Sequence, residues 1–156
     1  MSKFIRSNHI FFWGGVFSNF HPICGKENLT SEHFYMEAKA SFFGDAETLV
    51  RIREAKTPRE AKRFGRLVEG FNQEAWDRVK EDFMFGALSI KATLDKSFKQ
   101  ALIDSGDKIL VEASPTDRIW GIGFKEDDPN IENVDLWGQN LLGVCLMQVR
   151  EELLEN

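Results

Sequence analysis

Asn72-Gln73-Glu74-Ala75-Trp76-Asp77-Arg78-Val79-Lys80-Glu81-Asp82-Phe83-Met84-Phe85-Gly86-Ala87-Leu88-Ser89-Ile90 is the stretch that decides the fold class. Trp76, Val79, Phe83, Ala87 and Ile90 recur every three or four residues, the period of one helical face, for about five turns. Asn72 is a good N-cap, because its side chain can accept from an otherwise unsatisfied backbone N–H. The spacing predicts the longest helix of the chain and its core element.

Upstream, Thr57-Pro58-Arg59-Glu60 combines an N-cap, a proline in the first turn and a capping-box glutamate. The helix it opens carries Ala61, Phe64, Gly65 and Val68 on one face, and Gly70 stops it. Asp45 caps a shorter helix through about Glu54. Thr30 or Ser31 caps another to about Phe43, with Phe34, Ala38 and Phe42 as its apolar stripe and Gly44 as its end. The first 30 residues read as irregular or β, including the apolar run Ile10-Phe11-Phe12-Trp13 and the turn-rich Ser18-Asn19-Phe20-His21-Pro22. Downstream come a helix from Lys96 to Asp104, a strand over Lys108–Glu112, an acidic loop over 125–137, and a helix from about Gln139 to Leu154 that buries Leu142, Cys145, Leu146, Val149 and Leu153. The expectation is a mainly α, single compact domain over residues 1–156 with a few short β-strands.

The size agrees with this: 156 residues, 42% hydrophobic, suit one core. Nothing repeats at a fixed period and no Pro-rich or Gly/Ser-rich linker divides the chain. No run is long enough to span a bilayer and the N-terminus lacks a signal-peptide core, which predicts a soluble cytoplasmic protein with no membrane partner. Cys24 and Cys145 are far apart and read as free, buried thiols. His9, His21 and His33 have no partners at ligand spacing, so no metal is expected.

The net charge of −5 argues against indiscriminate binding of nucleic acid or anionic membrane. Its distribution is uneven. Between Arg51 and Arg66 lie seven Lys/Arg and two Glu, so this block is +5 and the remainder −10. Arg59, Lys62, Arg63 and Arg66 fall at i, i+3, i+4 and i+7, a basic stripe that suits phosphate and equally suits a solvated face.

Glu32 and Lys39, seven apart, share a helical face offset from the Phe34/Ala38/Phe42 stripe, so a carboxylate and an ammonium can enter one pocket. The pattern alone favours the plainer roles: Glu32 complements the helix dipole, Lys39 is solvated, and His33 packs or hydrogen-bonds. Trp76 sits on an apolar stripe, where core packing is the default. Trp120, three residues after Asp117 in a Gly-punctuated segment, has the character of a site residue.

Taken together, Ser18-Asn19-Phe20, Thr30-Ser31-Glu32-His33 with Lys39, Ala61-Lys62-Arg63-Phe64-Gly65-Arg66, Trp76 with Lys80, Trp120-Gly121-Ile122-Gly123, Gly138-Gln139-Asn140-Leu141-Leu142-Gly143 and Leu146-Met147-Gln148-Val149-Arg150 resemble, in order across residues 11–154, the YbiA-like or NADAR superfamily. The resemblance implies a mainly helical fold and cofactor-free hydrolysis of an N-glycosidic bond to ribose. Two substrate classes go with it: ribosylated pyrimidine intermediates of riboflavin biosynthesis, releasing ribose 5-phosphate, and ADP-ribosylated guanine, free or in nucleic acid. A non-catalytic ADP-ribose or NAD sensor is the competing reading.

On this resemblance Glu32 becomes the carboxylate beside the ribose C1, where an oxocarbenium-like transition state needs negative charge or an activated water. Asp117 or Lys39 assists the leaving base. Trp76 and Trp120, with Gly121 beside the latter, stack on base or ribose, while Asn19 and Asn140 read polar groups. Arg66, with Lys62 or Arg63, holds phosphate, and Lys80 joins the binding set. The acidic segment Lys125–Asp135 departs from the family pattern and is expected to repel a polyanion or cap a small-substrate pocket.

Overall fold

The computed structural model describes residues 7–156; of the first 30 residues expected to be irregular or β, positions 1–6 lie outside the described ones. Among the described residues, six α-helices and two short strands make the protein mainly α. Its contacts group into two units, Asn19–Lys96 and Met1–Ser18 with Ser97–Asn156, and each is described by itself.

The Asn19–Lys96 unit is built of helices after a turn-rich start: α1 (Ser31–Phe42), α2 (Ala46–Glu54), α3 (Pro58–Gly65) and α4 (Gln73–Leu94). Each starts where a capping side chain satisfies a first-turn amide. Thr30 accepts from His33 N, Asp45 from Thr48 N, Thr57 from Glu60 N and Asn72 from Ala75 N. α1 packs against the other three. α3 lies so close to it that a Cβ on Gly65 would collide with Met36 Sδ.

Two expected apolar stripes are rotated. On α1 the buried residues include Glu32, Tyr35, Met36 and Ala40, whereas Phe42 is exposed. Neighbours on several sides of α1 select the face that reaches them, which sequence spacing within α1 does not report. On α4 Trp76 and Ala87 are buried as expected, but Ile90 is exposed and Met84, Leu88 and Lys91 lie inside. The buried face is turned about a quarter of the way round from the Phe83/Ile90 line, since each residue advances roughly 100°. Cys24 corrects another expectation, being exposed. It occupies a left-handed position, φ 53°, in the turn closed by Ile23 and Lys26, and its Sγ donates to the Leu94 carbonyl at 3.3 Å.

In the other unit β1 (His9–Phe12) and β2 (Ile109–Glu112) form a parallel pair in the register His9↔Ile109. α5 (Lys96–Asp104) buries Phe98 and Leu102. α6 (Leu141–Glu155) packs on β2, so closely that a Cβ on Gly143 would strike the Leu110 carbonyl. It begins after Asn140, whose left-handed backbone, φ 52°, delays the start expected at Gln139. The acidic segment is not a plain loop: it forms two 3-10 turns, Pro129–Glu132 and Val134–Leu136. Ile131 anchors it in a core with Val111 and Ile122, ringed by Phe11, Phe124 and Trp137, and the Trp137 indole N–H donates to the Ile131 carbonyl at 3.0 Å. Among the described residues no helix is long and apolar enough to cross a membrane.

Candidate active site

In the helical unit the first turn of α1 brings Asn19 and Glu32 together. The Glu32 amide donates to the Asn19 carbonyl at 3.2 Å, and the Ser31 hydroxyl donates to the Asn19 side-chain oxygen at 2.7 Å. The Asn19 Nδ2 in turn contacts Met84 Sδ at 3.4 Å. The segment before α1 is thereby fixed to the helix that carries Glu32. Glu32 is only 7% exposed, which costs a carboxylate much of its hydration and makes it unlike a dipole partner in free solvent.

Lys39, two turns on, lies within electrostatic reach of it. Burial pushes the Lys39 ammonium below its ordinary range, Glu32 pulls it back up, and Arg66 pushes it down again. Its Nζ also lies 4.5 Å from the Phe71 ring centroid, within cation–π reach. The acid and the guanidinium therefore both act on the ammonium, although the three come from the start of α1, the end of α3 and the last turn of α1.

Arg66 lies in a groove of about 460 Å³ that also takes in Phe20, Thr57, Arg59, Glu60, Lys62 and Arg63. The basic block between Arg51 and Arg66 resolves into two kinds of residue. Arg51 and Arg53 are ion-paired with Glu47 and Glu37, at 2.9 and 2.6 Å. Arg59, Lys62, Arg63 and Arg66 are not paired with any carboxylate among the described residues, and Lys62 lies over the Phe20 ring at 5.7 Å. Four cations facing one glutamate make the groove suited to an anion.

His33 is structural. Its Nε2 donates to the Ala55 carbonyl at 2.9 Å and its Nδ1 meets the Thr30 hydroxyl at 2.8 Å. Trp76 is 5% exposed, stacked on Phe83 and tilted against Tyr35, Phe42 and Phe43. Phe83 covers one indole face, so the packing role suggested by helical spacing describes it better than a stacking platform does. Lys80 pairs with Asp77 at 2.8 Å, one turn away on the same helix.

The remaining sequence-derived residues lie in the other unit. Asp117 shapes the turn that presents Trp120: its Oδ1 accepts from the amides of Ile119 and Trp120, at 2.9 and 2.8 Å. Gly121 is required by close approach, since a Cβ would come within 2.9 Å of the Glu112 carbonyl. Asn140 departs from the expected binding role. Its Nδ2 donates to the Leu110 carbonyl and its Oδ1 accepts from the Glu112 amide, both at 2.9 Å, so the side chain ties the start of α6 to β2. Among the described residues no group of three or more His, Cys, Asp or Glu is placed to hold a metal.

Sequence reasoning assigns no role at the site to Phe20, Phe71 or Met84, although Phe20 stands in the Ser18-Asn19-Phe20 motif. Each is apolar and far in sequence from what it contacts, and only the cation or amide it meets marks it. Ser31, quoted in the Thr30-Ser31-Glu32-His33 motif, has no role in the sequence reading beyond a possible cap.

The NADAR domain family model matches residues 8–154. The chain is 37% identical over 147 residues to N-glycosidase R617 of Acanthamoeba polyphaga mimivirus, a match covering 88% of this chain and 86% of that one. It is 35% identical over 158 residues to the riboflavin biosynthesis protein PYRR, chloroplastic, of Zea mays, covering 90% of this chain but 23% of the maize protein. N-glycosidase YbiA of Escherichia coli is 32% identical over 143 residues, covering 89% and 81% of the two chains. The NMR structure of E. coli YbiA superposes with a TM-score of 0.71 over 96% of this chain and 90% of that one.

Proposed function

The chain belongs to the NADAR domain family, and from that premise we propose that it is an N-glycosidase, a hydrolase that cleaves the bond between a phosphate-bearing ribose and a nitrogenous base. The observation that carries this reading is the run of charge from a buried acid to an open cationic groove: Glu32, Lys39 and Arg66, then Lys62, Arg63 and Arg59. Such a run suits a substrate whose one end develops positive charge and whose other end is anionic.

At the buried end, Glu32 stabilises the oxocarbenium-like ribosyl centre and activates the water that attacks C1. Water supplies hydroxide to C1, the C–N bond breaks, and the departing base takes up a proton. Lys39 is suited to donate that proton, because burial loosens its hold on it. Arg66, with Lys62 or Arg63, holds the phosphate through charge-assisted hydrogen bonds. A cytoplasmic setting suits the two free thiols, Cys24 and Cys145.

The substrate is tested by offering the protein a ribosylaminopyrimidine phosphate and ADP-ribosylated guanine DNA, then identifying the released sugar by mass spectrometry. Ribose 5-phosphate or ADP-ribose names the class. Saturable binding of ADP-ribose by calorimetry, with no sugar released from either compound, would instead favour the non-catalytic sensor.

A further inference from the structure

The connection from α3 to α4, residues 66–72, brings two side chains to Lys39, those of Arg66 and Phe71, and the reaction proposed above uses only the first. The connection is held at Val68, Glu69 and Gly70 before it reaches the Phe71 ring. Val68 is buried. The Glu69 amide donates to Asp45 Oδ2 at 2.9 Å, while Oδ1 of the same carboxylate caps α2 by accepting from the Thr48 amide at 3.0 Å. Gly70 then turns the chain at φ 78°. A Cβ there would meet the Phe43 carbonyl only at 3.6 Å, an ordinary contact, so it is the left-handed backbone and not crowding that calls for glycine. On the far side Asn72 caps α4 through the Ala75 amide at 2.9 Å. Phe71 is therefore placed by fixed backbone on both sides.

Its ring meets Phe43 edge-on, with centroids 5.2 Å apart, and Phe43 packs in turn on the buried Trp76 at 6.0 Å. Over the Phe71 ring sits Lys39 Nζ, 4.5 Å from the centroid. An aromatic face carries the negative part of the ring quadrupole, so it attracts an ammonium and offers nothing comparable to a neutral amine. The other influences on Lys39 are burial and charge. Burial acts against the ammonium, Glu32 from the start of α1 acts for it, and Arg66 from the end of α3 acts against it. Arg53 of α2 and Lys80 of α4 are taken up by Glu37 and Asp77. A lysine pressed towards its neutral form by burial and by a guanidinium, with one carboxylate in its favour, gains a second favourable partner in the ring. The ring itself is 39% exposed, so filling the core does not account for a phenylalanine at this position.

We propose that Phe71 is a positioning residue that acts through Lys39: its ring, set by the tethered 66–72 connection and by Phe43, holds the ammonium in place and in its charged form against Arg66. That the proton so held reaches the leaving base rests on the hydrolase reading; that the ring holds it does not. The test titrates Lys39 itself in full-length protein carrying isotope-labelled lysine, followed by NMR at the side-chain ε-methylene and assigned with Lys39→Arg, and sets kcat against pH beside it. Phe71→Leu keeps an apolar side chain and removes the π face, so the Lys39 midpoint should fall by about 0.4–1.5 in pH. Phe71→Trp, with the strongest π face, should raise it. A ring that only shielded Lys39 from water would give the opposite signs, because the smaller side chain admits water and the larger one excludes it. Should Phe71→Leu melt much lower than wild type, the sign of the shift in Phe71→Trp decides. An unmoved midpoint, or the reversed signs, overturns the proposal. In Phe71→Leu the alkaline limb of kcat should move to lower pH, with KM for a phosphorylated substrate unchanged. A midpoint that shifts as expected under an unmoved limb upholds the contact and removes Lys39 from proton delivery, so the two failures are read apart.

Discussion

His33 and Ala55 are joined by a buried hydrogen bond, His33 Nε2 donating to the Ala55 carbonyl at 2.9 Å, which ties the first turn of α1 to the residue that ends α2. A carbonyl can only accept, so Nε2 carries the proton. The same imidazole meets the Thr30 cap through Nδ1. His33→Ala leaves a buried carbonyl and a hydroxyl unsatisfied, which costs about 1–3 kcal/mol per group. The expected result is a melting temperature lower by several degrees, at about 2–4 °C per kcal/mol for a chain of this size. An unchanged melting curve would show that the imidazole is not structural.

Glu32 has the opposite expectation. It is adjacent to His33 in sequence, yet Glu32→Gln keeps shape and burial while removing the charge that the proposed reaction needs. Turnover should fall by roughly 10²–10⁴-fold, the usual scale for a general acid–base group. The melting temperature should hold or rise, because an amide is less costly to bury than a carboxylate. Sugar release and thermal melting on the same preparation check both halves. A variant that retains near-wild-type rate removes Glu32 from the mechanism.

Arg66 links the acid to the groove. Arg66→Ala should raise KM for a phosphorylated substrate roughly 10–100-fold, as expected for losing hydrogen bonds to a charged group worth about 1.5–3 kcal/mol, with a smaller change in kcat. There is a second consequence. Arg66 pushes the Lys39 pKa down, so removing it should move Lys39 up. If Lys39 supplies the proton, the alkaline limb of the rate profile should shift to higher pH in this variant. A steady-state profile of kcat against pH reads that shift, and an unmoved limb assigns the proton to another group.

The elements were largely legible in the sequence and the faces were not. Thr57-Pro58-Arg59-Glu60 and Asn72 announce α3 and α4 because caps are local: a side chain meets an amide two or three residues on. Which face of α1 is buried depends on α2, α3 and α4 together, and that is why Phe42 is exposed and Glu32 buried. The same holds at the site. Glu32 and Lys39 share a face by helical arithmetic, whereas the influence of Arg66 on Lys39 depends on how α3 lies against α1. Asn140 shows the converse: its motif drew attention to a polar side chain, and the backbone of β2 consumes both ends of it.

Lys91, buried in the last turn of α4, makes stability depend on pH. Burial pushes it down to about 7 from its ordinary 10.5, with Asp95 one turn on pulling in the other direction. The unfolded chain keeps its lysine protonated up to about 10.5, so between about 7 and 10.5 the unfolded state binds more protons than the folded one. Unfolding in that window takes up a proton, which becomes less favourable as the pH rises, so stability rises with pH; below about 7 both states are protonated and the dependence from this residue flattens. From pH 7 to 8.5 the gain is on the order of 2 kcal/mol, or about 4–8 °C in melting temperature. Melting curves of wild-type protein across that interval should show the rise, and Lys91→Met should abolish it whatever it does to absolute stability. A wild-type curve that is flat or falls with pH would mean that Lys91 keeps its charge in the folded protein.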